Sequence, residues 1–304
     1  MSTVFIGAVN ISETAASAIL MAGLKVKLLI SLKIKAGQKK HSDFFDFHDF
    51  SRKYNIPLLK TNDINSNQCE KIIKKINPDF IFAIGWSQII RQSILGLAKK
   101  GSIGFHPSLL PQMRGRAAIP WTIISRQRQS GGTLFYLNNQ IDSGKIIKQT
   151  KFKISRDETS FSLYEKHKRN LHKMIVNSLN NNKIKNLKSY AQREMNASYC
   201  SQRIPEDGKI NWSLASDKIL ILIRATTKPY PGAFSFWNGH KIIFWECFLE
   251  KSKKYFGIPG QIQNVSNNGI LIMCGDMRCI FVTNYEVVSK KYNRYSLKKA
   301  DRFK

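Results

Sequence analysis

The chain is short of several things at once, and each shortage closes a route. Its five cysteines, Cys69, Cys200, Cys247, Cys274 and Cys279, are odd in number, dispersed and free of any C-x-x-C pair. Cys274 and Cys279 are the nearest neighbours, and no His-rich or Cys-rich cluster stands beside them. Neither a metal site nor a disulfide framework is expected, and reduced thiols point to the cytoplasm. No long apolar run is present: the most apolar stretch, Thr14–Leu32, is broken by Lys25 and Lys27. It reads as a soluble helix followed by a strand rather than as a membrane span. The N-terminus has neither a charged leader region nor a cleavage site. No G-x-G-x-x-G follows the first apolar run, so a dinucleotide site is not supported. Internal repeats are absent. Acidic residues are scarce too, 20 against 49 Lys and Arg, which leaves a net charge of +29.

What remains is globular. With 304 residues, 42% apolar and 23% charged, the chain has room for one large domain or two ordinary ones around a real core. The positive charge invites a polyanion as partner, whether nucleic acid, membrane surface or phosphorylated substrate. Its distribution is even. Residues 1–100, 101–200 and 201–304 carry 15, 17 and 17 basic against 7, 5 and 8 acidic side chains, nets of +8, +12 and +9. No third is a dedicated basic arm, and a compositional habit of Lys, Ile and Asn explains the excess as readily as a binding footprint.

The apolar pattern alternates strand and helix. Thr3–Gly7 reads as a strand and Ser12 as a helix N-cap; Ala15, Ala16, Ile19, Leu20 and Leu24 keep near-helical spacing with Gly23 marking the helix end, and Val26–Leu32 reads as a second strand. Helices are expected over Asp46–Tyr54 and Asn67–Ile76, and strands over Ile56–Leu59 and Phe80–Ile84. The alternation predicts an α/β doubly wound, mostly parallel sheet. Thr159–Asn180 reads as a long helix, and the polar run Asn180–Lys188 with the weakly patterned stretch to Cys200 marks a boundary. Domains of 1–200 and 201–304 follow. The second begins with a helix over Leu214–Arg224. Short strands at Lys241–Phe248, Gly260–Val265, Gly269–Met273 and Cys279–Thr283 then suit a small, OB-like barrel.

The chemistry concentrates between Gly104 and Gly144. A strand over Gly101–Phe105 delivers His106, a Pro-bounded loop with Arg114, Gly115 and Arg116 follows, and Asp142 lies in the turn Ile141-Asp142-Ser143-Gly144. Strand C-termini are where an open α/β sheet collects ligands. A His and an Asp meeting there form a candidate acid–base pair. On spacing alone His106 is more often a loop or core residue than a base, and Asp142 more often just a turn residue.

The run His-x-Ser-Leu-Leu-Pro-x-x-Arg-Gly (106–115), with Asp-x-Gly at 142–144, resembles the formyltransferase family that uses 10-formyltetrahydrofolate. That family includes sugar N-formyltransferases and methionyl-tRNA formyltransferase. The resemblance extends upstream through Pro78-Asp79 and Ile84-Gly85-Trp86, and downstream through Pro205–Trp212 and Pro229–Phe234. It implies a catalytic Asn, His and Asp. His106 and Asp142 match; the Asn position is Gly104, which has no amide to offer the formyl oxygen. Ser87, Gln88 or the Gly104 backbone N–H are the candidate replacements. The resemblance also implies folate in a cleft beside Ile84, Gly85, Trp86, Ser87 and Gln88, Leu109, Leu110, Pro111 and Arg114, and Asn139. Pro107, Ser108 and Arg116 would lie on the acceptor's side, and Arg114 and Arg116 could meet the glutamate tail of folate or an acceptor phosphate. The acceptor is expected to be the primary amine of a nucleotide-linked amino sugar. Arg-Gly-Arg-Ala-Ala-Ile-Pro-Trp (114–121) is more similar to the sugar enzymes than to the tRNA enzyme, whose loop typically reads Arg-Gly-Ala-Ala-Pro. Met-tRNA is the alternative that the charge and the tail keep open, and a non-catalytic polyanion-binding relative is the reading that Gly104 keeps open.

Overall fold

The computed structural model describes residues 1–180, 183–293 and 296–304. The expected boundary run Asn180–Lys188 therefore includes two positions, 181 and 182, that lie outside the described residues. The chain forms two compact units. The first comprises Met1–Ala118, Arg128–Ile154 and Tyr164–Ser201; the second comprises Ile119–Gln127, Ser155–Leu163 and Gln202–Lys304.

In chain order the elements are β1 (Ser2–Ile6), α1 (Asn10–Met21), β2 (Lys25–Leu32), α2 (Ile34–Lys40), α3 (His48–Lys53) and β3 (Leu58–Thr61). Next come α4 (Asn67–Ile76), β4 (Phe80–Ala83), α5 (Gln92–Leu95), β5 (Ser102–His106), β6 (Arg114–Gly115) and α6 (Ala118–Ile124). Then follow β7 (Gln129–Tyr136), β8 (Ile146–Lys153), α7 (Ser160–Ser178) and β9 (Tyr199–Cys200). The first unit's sheet runs β3-β2-β1-β4-β5-β7-β8. Its first five strands are parallel, and β7 and β8 are antiparallel additions. This is the expected doubly wound architecture, with the strand order reversing between β1 and β4. Val4, Ile6, Leu28, Ile30 and Ile81 are buried because parallel strands are covered on both faces.

Local chemistry explains the helix ends. Ser66 Oγ accepts from Cys69 N at the start of α4, and Asn77 closes it in the left-handed region at φ +50 before Pro78. Helix α1 begins earlier than Ser12 predicts. Val9 holds the cap position and Ser12 sits inside the first turn. From there its Oγ accepts from Ala8 N and Val9 N, each at 3.2 Å, and donates to Ile84 O at 2.6 Å. A Ser in the first turn can reach back to the cap backbone, so its presence located the helix and misplaced its start by one turn. Helix α2, Lys-rich with Gly37 inside it, has no apolar period and was not anticipated.

The second unit contains α8 (Ser216–Thr226) and an antiparallel sheet of β10 (Ala233–Trp237), β11 (His240–Leu249), β12 (Ile262–Ser266), β13 (Gly269–Met273) and β14 (Cys279–Val288). Its order, β10-β11-β14-β13-β12, has two ends, which describes a small five-stranded β domain rather than a demonstrated barrel. Ile219 and Ile223 of α8 share its core with Trp212, Phe244 and Phe303. Trp212 stacks on Phe303 at 5.6 Å between centroids. Strand β10 was missed because Tyr230-Pro231-Gly232 reads as a turn and draws attention from the alternating residues after it.

Candidate active site

Strand β5 ends on His106, and β7 pairs with it in the register Gly104↔Phe135 and His106↔Thr133. Gly104 and His106 are two residues apart on one strand, so they share a sheet face. Thr133 then fastens the loop that follows. Its Oγ1 donates to Ser108 O at 2.7 Å and accepts from Leu110 N at 3.2 Å. Gln149 Nε2 donates to Leu110 O and to Thr133 Oγ1, both at 2.9 Å, and Ser108 Oγ donates to Gln112 O at 2.6 Å. The loop from Pro107 to Gln112 is thus fixed by β7 and β8.

The two candidate catalytic side chains meet. His106 is buried, with Nδ1 3.4 Å from Asp142 Oδ2 and Nε2 2.7 Å from Met113 O. Both ring nitrogens face oxygen acceptors. A neutral imidazole carries one N–H and serves one of them; the imidazolium serves both. Asp142 adopts φ +49, and its Oδ2 also accepts from Gly115 N at 2.8 Å. Gly115 is required there. It has φ +102, and a Cβ would stand 2.6 Å from Cys200 O.

Gly104 is not an empty notch. A Cβ built on it would lie 2.7 Å from Leu137 Cδ2 and 3.3 Å from Phe135 Cε1, so apolar side chains cover the position. Two of the expected replacement donors are committed elsewhere. Gln88 Oε1 accepts from Ile64 N and its Nε2 reaches Asn62 O, which ties it to the loop before α4. Leu137 N donates to Ser102 O at the matching ladder position. The two-residue alternation of an antiparallel pair therefore directs the Gly104 N–H to Phe135. Ser87 Oγ pairs with His41 Nε2 at 3.2 Å and is exposed. Burial holds the His41 imidazole below its ordinary pKa; Asp43 opposes the shift, and Arg116 and Lys40 add to it. Trp86 carries a buried indole N–H with no hydrogen-bond partner among the described residues, and it packs on the cluster that also takes in Leu137.

Arg114 corrects the expectation that it meets a folate carboxylate. Its side chain is 1% exposed, and all five N–H donors are taken within the first unit. Nε and Nη2 donate to Gln192 Oε1, Nη1 and Nη2 to the two carboxylate oxygens of Glu194, and Nη1 also to Tyr199 O–H. These distances run from 2.7 to 3.2 Å. The guanidinium accordingly holds the Glu194 carboxyl below its usual pKa range. Arg116 is exposed. Ile84 is buried and bonded through its carbonyl to Ser12. Gly85, at φ +67, has Ser12 Oγ and Val9 Cγ2 2.4 Å from where its Cβ would be, so α1 leaves that crevice no room. Leu109 lies against Gly131, Leu110 is buried with Phe135 and Ile146, Pro111 O accepts from Ser198 N, and Asn139 is exposed.

Sequence reasoning passed over the residues that hold these in place. Gln192, Glu194 and Tyr199 lie in a stretch with no apolar period, and nothing in their spacing announces that they close around Arg114. Gly115 belongs to the run 106–115, but its hydrogen bond, like those of Thr133, depends on a register that only the folded sheet supplies.

The family model for formyl transferase matches residues 9–179, and that for the formyl transferase C-terminal domain matches residues 203–295. The chain is 35% identical over 232 residues to the bifunctional polymyxin resistance protein ArnA of Wigglesworthia glossinidia brevipalpis. That match covers 74% of this chain and 34% of the relative, so the chain spans about a third of that protein's length. Its fold is similar to HypX from Aquifex aeolicus in complex with tetrahydrofolic acid, at TM-score 0.70 and 17% identity over 95% of this chain and 44% of that one. It is also similar to an N-formyltransferase from Helicobacter canadensis in complex with folinic acid and dTDP-3-aminofucose. There the TM-score is 0.65 and the identity 20%, over 92% of this chain and 98% of the other. The first of these models alone covers more than half of the chain, and with the second it places the chain in the formyl transferase family.

Proposed function

We propose that the protein transfers the formyl group of 10-formyltetrahydrofolate to the primary amine of a nucleotide-linked amino sugar. The amine nitrogen attacks the formyl carbon and the carbonyl oxygen becomes an oxyanion. Collapse breaks the bond to the folate nitrogen, which takes up one proton while the new amide loses one. The observation that carries this reading is the His106–Asp142 contact at the end of β5, with both imidazole nitrogens held at oxygen acceptors. A ring that donates to Met113 O can donate to the formyl oxygen in the same way, and Asp142 offsets the positive charge of the imidazolium. That the similar Helicobacter enzyme is described with folinic acid and dTDP-3-aminofucose supports the choice of both substrates.

Gly104 leaves one expected donor missing, and the unpartnered Trp86 indole N–H is the replacement we favour. Trp86 follows β4, whose Ala83 pairs with Gly104, and a buried donor without a partner calls for one. The remaining acceptor-side residues of this reading are Pro107, Ser108 and Arg116, and the exposed Arg116, near His41, suits a phosphate.

The test is formyl transfer from 10-formyltetrahydrofolate to a panel of dTDP-, UDP- and CMP-amino sugars and to Met-tRNA. Turnover on an amino sugar is expected, with His106→Ala abolishing it and Trp86→Phe lowering kcat by about a hundred-fold, as for a lost oxyanion donor. Turnover on Met-tRNA alone would overturn the acceptor. Full activity of the His106 variant would overturn the site.

A further inference from the structure

We propose that Gln192, itself oriented by the buried Arg114, is the positioning residue for Asp142. The inference rests on the reading of His106 and Asp142 as the catalytic pair. Asp142 meets His106 from a left-handed backbone conformation, φ +49, which Asp tolerates better than most residues and which its surroundings here hold in place. Two contacts impose it here. Gly115 N grips the carboxylate at 2.8 Å, and Gln192 grips the backbone. Gln192 Nε2 donates to Asp142 O and to Gly144 O, both at 2.8 Å, and so spans the turn on either side of Ser143.

The amide has one permitted orientation. Its Oε1 faces the Nε and Nη2 of Arg114, at 3.2 and 2.9 Å, and its Nε2 faces two carbonyls. Flipping it would set donor against donor and acceptor against acceptor. Arg114 cannot drift, because Glu194 holds the far edge of its guanidinium and its own backbone N–H pairs with Ser198 O at 2.8 Å. Arg114 also precedes Gly115 in the chain. The same short segment therefore sets the carboxylate through Gly115 N and the turn through Gln192. A bridge limited to holding the loops together would not need to converge on both ends of one aspartate.

Two near-isosteric variants of the full chain test this. Gln192→Met removes every hydrogen bond of the amide without adding charge. Gln192→Glu keeps an acceptor for Arg114 and removes both donors to the turn. The first measurement needs no acceptor substrate: amide hydrogen exchange at Gly115, whose N–H is held by Asp142, compared with Leu137 in the β5–β7 ladder. The proposal expects exchange at Gly115 to quicken about ten-fold or more in both variants with Leu137 unchanged. The second is steady-state kinetics on an amino-sugar acceptor, where kcat should fall about ten-fold or more while KM for 10-formyltetrahydrofolate holds within about two-fold. Wild-type protection of Gly115 with unchanged kcat would overturn the proposal. If the wild type formylates no amino sugar, the acceptor assignment fails and the exchange experiment still decides this one. If neither variant folds, slow exchange of the Gln192 side-chain amide protons in the wild type supports the bridge, and fast exchange overturns it.

Discussion

Gly104 shows how a single residue can carry two readings until its neighbours are known. In the sequence it is a missing amide. In the fold it is also a place that Leu137 has closed over, with Phe135 beside it. Gly104→Asn should therefore be inert or harmful alone, since the new Cβ requires Leu137 to rotate away. Paired with Leu137→Ala, which opens the space, it should raise kcat by about ten-fold or more if an amide donor is what the site lacks. Comparing kcat for the single and double variants checks this; equal rates in both would mean the Leu137 packing is irrelevant. His106, Asp142 and the departure at Gly104 were legible because the motif is contiguous or nearly so. For Arg114 the resemblance implies a contact with the glutamate tail of folate or an acceptor phosphate, and the alternative is a solvated loop; the fold buries the side chain instead. Its actual partners lie about eighty residues on, and no local pattern encodes them.

At the scale of elements, α7 carries an oddity that its apolar spacing concealed. His167 lies on the buried face among Phe105, Phe152 and Ser130, with 0% exposure and no partner for Nδ1 among the described residues. Burial, with a lesser contribution from His106, pushes its pKa down to about 3. The folded chain therefore refuses a proton that the unfolded chain accepts below its ordinary value of about 6.5. Stability contributed by the neutral ring is complete above that value and declines as the pH falls toward 3. Between pH 6.5 and 5 the loss is about 2 kcal/mol. Urea unfolding at about pH 7.5 and 5 should show it in the wild type, and His167→Leu should remove most of the difference. An unchanged pH dependence in the variant would refute the assignment. Strands and long helices such as α4 and β13 were legible to within a residue because period and turn chemistry agree there. The two-residue ladder of β6 with β9 was not, since two residues carry no period at all.

For the whole molecule, the charge of +29 is the property that any polyanion meets first. Spread almost evenly along the chain, it predicts weak association with RNA that depends on counterion release rather than on sequence. Fluorescence anisotropy with a short unstructured RNA should show binding at about 50 mM salt that weakens at least about a hundred-fold by about 200 mM. Binding that survives the higher salt would point to a dedicated groove and strengthen the Met-tRNA alternative. Among the described residues, no helix is long and apolar enough to cross a membrane.

The hydroxyl of Ser12, bonded to Ile84 O across the point where the strand order reverses, bears on where a ligand can sit. Doubly wound sheets ordinarily keep ligands at that reversal. Here Gly7 and Gly85 let the helix close on it, with Ser12 standing within 2.7 Å of where either Cβ would be. That crevice is closed, and the working groups stand two strands along, on β5 and beyond β7. Anyone wishing to graft a dinucleotide onto this scaffold would have to evict that serine before adding a single glycine.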